Sequence, residues 1–372
     1  MTAWIWQQPN WPNFYWLDER IIPLVRTVRL KQGILLGKTG IISEQSSKES
    51  ALDTLLQNII TSSAIEGETL NAQSVRSSLA KRLGLKRSQR STTARSEGLA
   101  QLLMDAICNV ETPLTLERLY LWHQWLFPDS ETSIYKIMVG TLRGDDAMQV
   151  VSGRIDNPTV HFEAPPRARL EEELTRFITW FNASRYENTL DPLLRAGLCH
   201  FWFVTLHPFD DGNGRITRAL TDLALAQEDR QSIRLYTISA TILEKRQDYY
   251  RILEHSQRNG LDITAWLVWF LNTLDASFNT AIDKIDLTLA KSLFWQQHQE
   301  QTFLPEQVTI LNRLFDDEAL SREGINASKY QKITKVSKAT ATRHLTDLLA
   351  KGCLDKLAGE GRSTRYQIKR EA

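Results

Sequence analysis

From Asp18 onward apolar residues recur at intervals of three and four, and strand-like alternation is rare. That period belongs to helices packed through one face, so the chain is predicted to be mainly α. Leu52, Leu55, Leu56, Ile59 and Ile60 mark one face of a helix that stops at Gly67. The same pattern predicts helices over about 71–84, 93–109, 115–126, 167–182, 192–206, 214–227, 241–258 and 262–290. Met148–Pro165 breaks the pattern: Gln149 to Gly153 and Val160 to Phe162 flank a polar turn through Asp156, Asn157 and Pro158, which predicts a short hairpin.

A length of 372 residues predicts more than one domain. The expected division is a helical N-terminal module over 1–110, a helical core over 111–290 and a last domain over 291–372. Lys plus Arg at 45 nearly balances Asp plus Glu at 44, so any preference for nucleic acid must be local. Cys108, Cys199 and Cys353 are odd in number and far apart, a pattern that fits a reducing, cytoplasmic compartment better than a disulfide framework. With no basic cluster leading an apolar run at the start, and no run approaching the roughly 20 residues that span a bilayer, neither secretion nor a membrane partner is expected. Trp4, Trp6, Trp11, Phe14, Tyr15 and Trp16, interrupted by Pro9 and Pro12, read as an extended arm. It docks either on its own core or in a homodimer contact.

The stretch His207-Pro208-Phe209-Asp210-Asp211-Gly212-Asn213-Gly214-Arg215-Ile216-Thr217-Arg218 lies between an apolar helix and the start of the next. Gly212 and Gly214 permit positive φ and close backbone approach, so successive N–H groups converge with the helix dipole on an anion. Arg215 and Arg218, three apart, share a helix face from which both guanidiniums reach phosphate oxygens. Asp211 is a hard oxygen ligand of the kind Mg²⁺ takes singly beside substrate phosphates. His207 can accept a proton at neutral pH. The plainer alternative is a Gly-Asn-Gly turn with His207 capping a carbonyl and the arginines solvated. A zinc site on His200 and His207 lacks a third ligand in register.

His207 to Arg218 resembles the signature of the Fic family, His-Pro-Phe-x-Asp/Glu-Gly-Asn-Gly-Arg-x-x-Arg, at every specified position. The resemblance implies a helical Fic core that transfers AMP from ATP to a Ser, Thr or Tyr hydroxyl of a target protein, or of the chain itself. His207 would be the base, and Asp211 would hold Mg²⁺. Gly212, Asn213 and Gly214 would cradle the α-phosphate, with Arg215 on the β- and Arg218 on the γ-phosphate. The hairpin takes the place of the family's flap, in which Val151, Ser152, Gly153, Val160, His161 and Phe162 would align the target segment by strand pairing. Tyr249, Tyr250 and Gln257 resemble the residues that line the adenosine pocket, although paired aromatics on a helix also serve as core.

Ser62-Ser63-Ala64-Ile65-Glu66-Gly67 resembles the family's inhibitory motif, Ser/Thr-x-x-x-Glu-Gly/Asn. A capping box is the alternative, but the apolar stripe precedes this segment and Gly67 follows it, which marks a helix end. By the family's logic Glu66 pairs with Arg218 and makes the transferase autoinhibited; in some relatives the same residue serves removal of AMP.

Beyond about residue 302, three helical segments (one opened by Pro305, then 327–334 and 337–351) and two strands (353–357 and 365–368) predict a winged helix-turn-helix. From Lys329 to Arg370 eleven Lys or Arg face only Asp347, Asp355 and Glu360, a balance suited to DNA. Ser337, Lys338, Thr340, Thr342, Arg343 and His344 are the groove-facing candidates, with Arg362 and Arg365 on the wing. Dimerisation or protein docking is the other use of such a domain. The alternative function is accordingly a DNA-binding regulator that uses the Fic core as a nucleotide sensor.

Overall fold

The computed structural model describes residues 4–39, 44–85, 91–128, 137–154, 157–229, 235–258, 260–357 and 364–369. The chain divides into two compact units, Met1–Ala281 and Ile282–Ala372. It is mainly α.

In the first unit the organising element is α7 (Pro192–Leu206), in which every residue from Leu193 to Leu206 is buried. A helix apolar on all sides must sit inside others. Its start is set by Asp191, whose carboxylate accepts from the Leu193 N–H, and by Pro192 in the first turn. The neighbours in chain order are α1 (Asp18–Thr39), α2 (Glu44–Ile65), α3 (Ala72–Arg82), α4 (Ala94–Cys108) and α5 (Leu116–Leu126) before it. After the strands β1 (Gln149–Arg154) and β2 (Asn157–Glu163) comes α6 (Arg167–Ala183), and beyond α7 follow α8 (Asn213–Asp229), α9 (Ile238–Glu244), α10 (Arg246–Arg258) and α11 (Thr264–Gln297), of which the residues through Ala281 belong to this unit. Phe201, Trp202 and Phe203 of α7 meet Phe177 of α6 and Trp266 of α11 ring to ring. Such aromatic pairs add to the area they bury.

Three readings from the sequence are corrected here. The aromatic arm is not simply extended: Ile5–Gln7 form a 3-10 turn, because the Gln7 side chain accepts from the Trp4 N–H. The arm docks on its own unit, with Trp6 Nε1 donating to the Glu163 carbonyl at 2.7 Å and Trp11 Nε1 to the Glu173 carboxylate at 2.9 Å. The helix expected over 241–258 is two, α9 and α10, broken at Lys245. The hairpin ladder runs further than read, since Asn157 and Pro158 already pair with Arg154 and Gly153. The turn itself, with Asp156, lies outside the described residues.

The second unit has its own core, in which Ile310, Leu311, Leu314, Tyr330, Leu345, Leu348 and Ile368 are buried together. Its elements are α12 (Pro305–Asp316), a six-residue α13 (Glu318–Glu323) that the periodicity does not reveal, α14 (Ala327–Thr334), α15 (Lys338–Ala350), β3 (Leu354–Lys356) and β4 (Tyr366–Ile368). The two strands pair antiparallel. Lys338 and Arg343 are exposed on α15, whereas Thr340 closes the helix N-cap with the Ser337 hydroxyl at 2.9 Å. His344 does not face outward as read. It is 5% exposed and bonded through Nδ1 to the Tyr330 hydroxyl at 2.9 Å, because its position on α15 falls on the apolar stripe with Ala341, Leu345 and Leu348. Arg365 turns back to the Glu323 carbonyl at 3.0 Å, and Arg362 lies outside the described residues.

Candidate active site

The loop between α7 and α8 is shaped from inside. His207 ends α7 in the left-handed region, with φ of 49°, a conformation uncommon for a residue with a Cβ. Asn213 then pins the loop across its mouth: its amide donates to the Phe209 carbonyl at 2.7 Å and accepts from the Phe209 N–H at 2.9 Å. The Asn213 side chain thereby holds the turn from within, with one of its two amide N–H groups committed to it. Gly212, at φ of +80°, lets the chain pass beneath Leu126 and Phe127, where a Cβ would come within 2.5 Å of the Leu126 side chain. The first N–H groups of α8 have no intrahelical acceptor and carry the positive end of its dipole.

His207 Nδ1 faces the Val204 carbonyl at 3.1 Å. A carbonyl only accepts, so Nδ1 carries the proton and the Nε2 lone pair is left for a substrate. Burial pushes the His207 imidazolium below its usual range, which favours the neutral, basic form. Arg143 braces the same residue from outside the motif, its Nε donating to the His207 carbonyl at 2.9 Å and its N–H to the Pro208 carbonyl at 3.0 Å. His123, fully buried, stacks on Phe209 at 4.4 Å, accepts the Gly140 N–H at Nδ1 and faces the Asp211 carbonyl through Nε2 at 3.1 Å. Neither Arg143 nor His123 stood out in the sequence, where each is a lone polar residue in an unremarkable context.

The cationic side chains of α8 are both occupied by carboxylates. Arg218, 1% exposed, meets Glu66 at 2.7 Å and also binds the Ser62 hydroxyl at 2.8 Å and the Ser62 carbonyl at 2.9 Å. Glu66 follows the end of α2, and the Tyr250 hydroxyl approaches its other oxygen at 3.4 Å. Burial raises the Glu66 carboxyl, but the charge and hydrogen bond of Arg218 outweigh it and hold the group below the usual carboxylate range. A Cβ built on Gly214 would lie 2.1 Å from Glu66 Oε1 and 3.1 Å from Arg218 Nη1. The carboxylate therefore rests against the opening turn of α8, the place where that turn would receive an anion. Arg218 Nη1 and Arg215 Nε have no hydrogen-bond partner among the described residues.

Arg215 meets Glu68 at 2.5 Å and Asp211 Oδ1 at 3.3 Å. Asp211 is exposed, and among the described residues its Oδ2 is not engaged, so a carboxylate oxygen is available beside the helix N-terminus. One hard oxygen beside the unsatisfied N–H groups of a helix start is a donor set that would fit Mg²⁺ carried partly by a phosphate ligand.

Tyr249, Tyr250 and Gln257 separate in the structure. Tyr250 reaches the Glu66 carboxylate. Tyr249 is 2% exposed and its hydroxyl meets His200 Nε2 at 3.0 Å, which makes it part of the core beneath the site. Gln257 is also buried, its amide donating to the Thr205 hydroxyl at 3.1 Å. In the hairpin, Val151 pairs with Val160, Ser152 Oγ meets His161 Nε2 at 2.6 Å, and Phe162 is buried against Trp4. His161 Nδ1 meets Glu254 of α10 at 2.8 Å, and Arg258 donates to the Val160 carbonyl at 2.8 Å, so the hairpin is tied to the helix that carries Tyr250.

Residues 113–225 match the model of the Fic/DOC family, and residues 4–85 match a domain of unknown function, DUF4172. The uridine 5'-monophosphate transferase of Xanthomonas campestris pv. campestris is 29% identical over 126 residues, which cover 30% of this chain and 21% of that protein. The protein adenylyltransferase fic-1 of Caenorhabditis elegans is 32% identical over 111 residues, 29% of this chain and 20% of that one. The matches thus span about a fifth of the length of these relatives. Among solved structures, a Fic family protein from Desulfovibrio desulfuricans superposes with a TM-score of 0.54 at 18% identity, covering 96% of this chain and 98% of that one. A Fic-domain-containing signaling protein from Bacteroides thetaiotaomicron gives a TM-score of 0.51 at 21% identity, covering 72% and 97%. Among the described residues no helix is long and apolar enough to cross a membrane.

Proposed function

We propose that the chain, whose residues 113–225 match the model of the Fic/DOC family, is an autoinhibited nucleotidyl transferase, moving AMP from ATP to a Ser, Thr or Tyr hydroxyl of a target protein or of itself. The observation that carries this reading is His207, whose bond to Val204 leaves Nε2 free beside an intact anion-binding turn. In the step, His207 Nε2 takes the proton of the attacking hydroxyl, whose oxygen forms a bond to the α-phosphorus. The bond to the leaving oxygen breaks and pyrophosphate departs. The first N–H groups of α8 and the side chains of Arg215 and Arg218 offset charge on the phosphates. Asp211 would hold Mg²⁺, which when bound supplies further neutralising charge.

Glu66 opposes this chemistry as long as it holds Arg218 and lies over Gly214. A terminal phosphate and the Glu66 carboxylate compete for one guanidinium. The hairpin, braced by Glu254 and Arg258, is the segment on which a target would be aligned by strand pairing. For the second unit, the exposed Lys338 and Arg343 on α15 beside the β3–β4 hairpin support a winged-helix reading with duplex DNA as partner. ATP rather than UTP is proposed as donor on the likeness to named adenylyltransferases. The choice is tested by incubating the Glu66→Gly chain with α-labelled ATP or α-labelled UTP: incorporation from ATP alone supports adenylyl transfer, and incorporation from UTP alone rejects it.

A further inference from the structure

Glu68 lies two residues past Glu66, and its carboxylate is gripped by arginines from two helices. Arg95 Nε donates to Oε1 at 2.9 Å and its Nη2 to Oε2 at 2.8 Å, while Arg215 Nη1 reaches Oε2 at 2.5 Å. Both guanidiniums lie over the Phe127 ring, at 5.2 Å and 5.1 Å from its centroid. The fork that Arg95 makes on the carboxylate is the one a guanidinium makes on phosphate.

The placement of Arg95 does nothing for its own helix. It stands in the first turn of α4, where the dipole disfavours a cation. Glu68 lies just past the turn that ends α2 rather than inside a helix, and its side chain is 27% exposed, so water and solutes reach it. Arg95 also falls between the two matched segments, 4–85 and 113–225.

We propose that Arg95 and Arg215, seated on Phe127, form a subsite for the terminal phosphates of a nucleoside triphosphate or for pyrophosphate, and that Glu68 is its built-in occupant, displaced when such a ligand binds. This deepens the transferase reading and rests on it for the identity of the nucleotide. Two carboxylates, Glu66 on Arg218 and Glu68 on Arg215, then stand in for the same polyphosphate. Releasing one leaves the other in place.

Calorimetric titration of the full chain carrying Glu66→Gly tests this, with pyrophosphate, ATP and AMP as probes and thermal melting as a check on folding. Adding Glu68→Gln is expected to tighten pyrophosphate and ATP by about tenfold and to leave AMP unchanged. Adding Arg95→Gln is expected to weaken pyrophosphate and ATP by about tenfold and to cancel the gain from Glu68→Gln, with Arg95→Lys falling between. Folded Glu68→Gln protein that binds pyrophosphate no tighter, or more weakly, overturns the subsite and makes Glu68 a brace for Arg215. ATP binding without these shifts removes the subsite and spares the nucleotide reading. The shifts with pyrophosphate but no ATP binding remove the nucleotide reading and spare the subsite, and binding of neither probe overturns both.

Discussion

Replacing Glu66 by Gln removes one charge from the 2.7 Å contact with Arg218 while keeping the shape of the side chain. Arg218 is 1% exposed, so the interaction is shielded from water on that side, but the Glu66 side chain is 28% exposed and Arg218 keeps both Ser62 acceptors. A charge-assisted bond in that setting is worth about 2 kcal/mol, within the usual range for hydrogen bonds to charged groups. That is about 30-fold in the ratio of released to held Arg218. If release limits productive ATP binding, automodification from α-labelled ATP rises by up to about 30-fold in Glu66→Gln. Glu66→Gly should rise further, because the carboxylate's place over Gly214 is also vacated. The same substitutions leave Arg218 without its carboxylate, so the melting temperature falls by several degrees, about 2–4 °C for each kcal/mol in a unit of this size. Saturating ATP should restore part of that loss. A lower melting temperature with unchanged automodification in both variants would refute the reasoning, reducing the Glu66–Arg218 pair to a structural contact.

Transfer by Glu66→Gly should fall in acid with a midpoint below the ordinary His value of about 6.5, because the proposed base is the neutral form of His207 and burial lowers its pKa; a pH–rate profile whose acid midpoint lies above that value contradicts this. Burial holds His200 down to about 3, so its contribution to stability is present above about pH 6.5 and is lost as pH falls below it. Urea unfolding at pH 7.5 and pH 5 should show that loss, and His200→Gln should lessen it. Gly214→Ala places a Cβ 2.1 Å from the Glu66 carboxylate oxygen and against the cradle itself, so it should abolish transfer even when combined with Glu66→Gly; full activity in the double variant would show that phosphate does not sit there. Duplex DNA should bind the chain at low salt with an affinity that falls steeply as salt rises, and Lys338→Ala with Arg343→Ala should flatten that slope. A salt-insensitive or absent complex removes DNA as a partner.

The loop that opens α8 was legible in the sequence because its residues are contiguous: Gly212, Gly214, Arg215 and Arg218 fall into place once a helix begins at Asn213. The Glu66–Arg218 contact crosses 152 positions, and only the resemblance of the Ser62–Gly67 segment made it predictable. The grip of Arg95 and Arg215 on Glu68 had no such signal, since it depends on how the turn after α2 approaches α4 and α8. Periodicity reported helices faithfully where one face is apolar, but it ran through the break at Lys245, where both sides continue the same stripe. It also could not tell which of two adjacent tyrosines faces the site. A single step on a helix turns the side chain by about 100°, and that sends Tyr249 into the core and Tyr250 to Glu66. His344 fell to the same ambiguity.

The most direct measurement is intact-protein mass spectrometry of wild-type, Glu66→Gly and Glu66→Gly/His207→Ala chains after incubation with ATP and Mg²⁺. The account predicts a mass increase of one or more AMP groups on Glu66→Gly, little on wild type and none on the double variant. An unmodified Glu66→Gly chain that nevertheless binds ATP, or a mass increase of a phosphate rather than AMP, would contradict it.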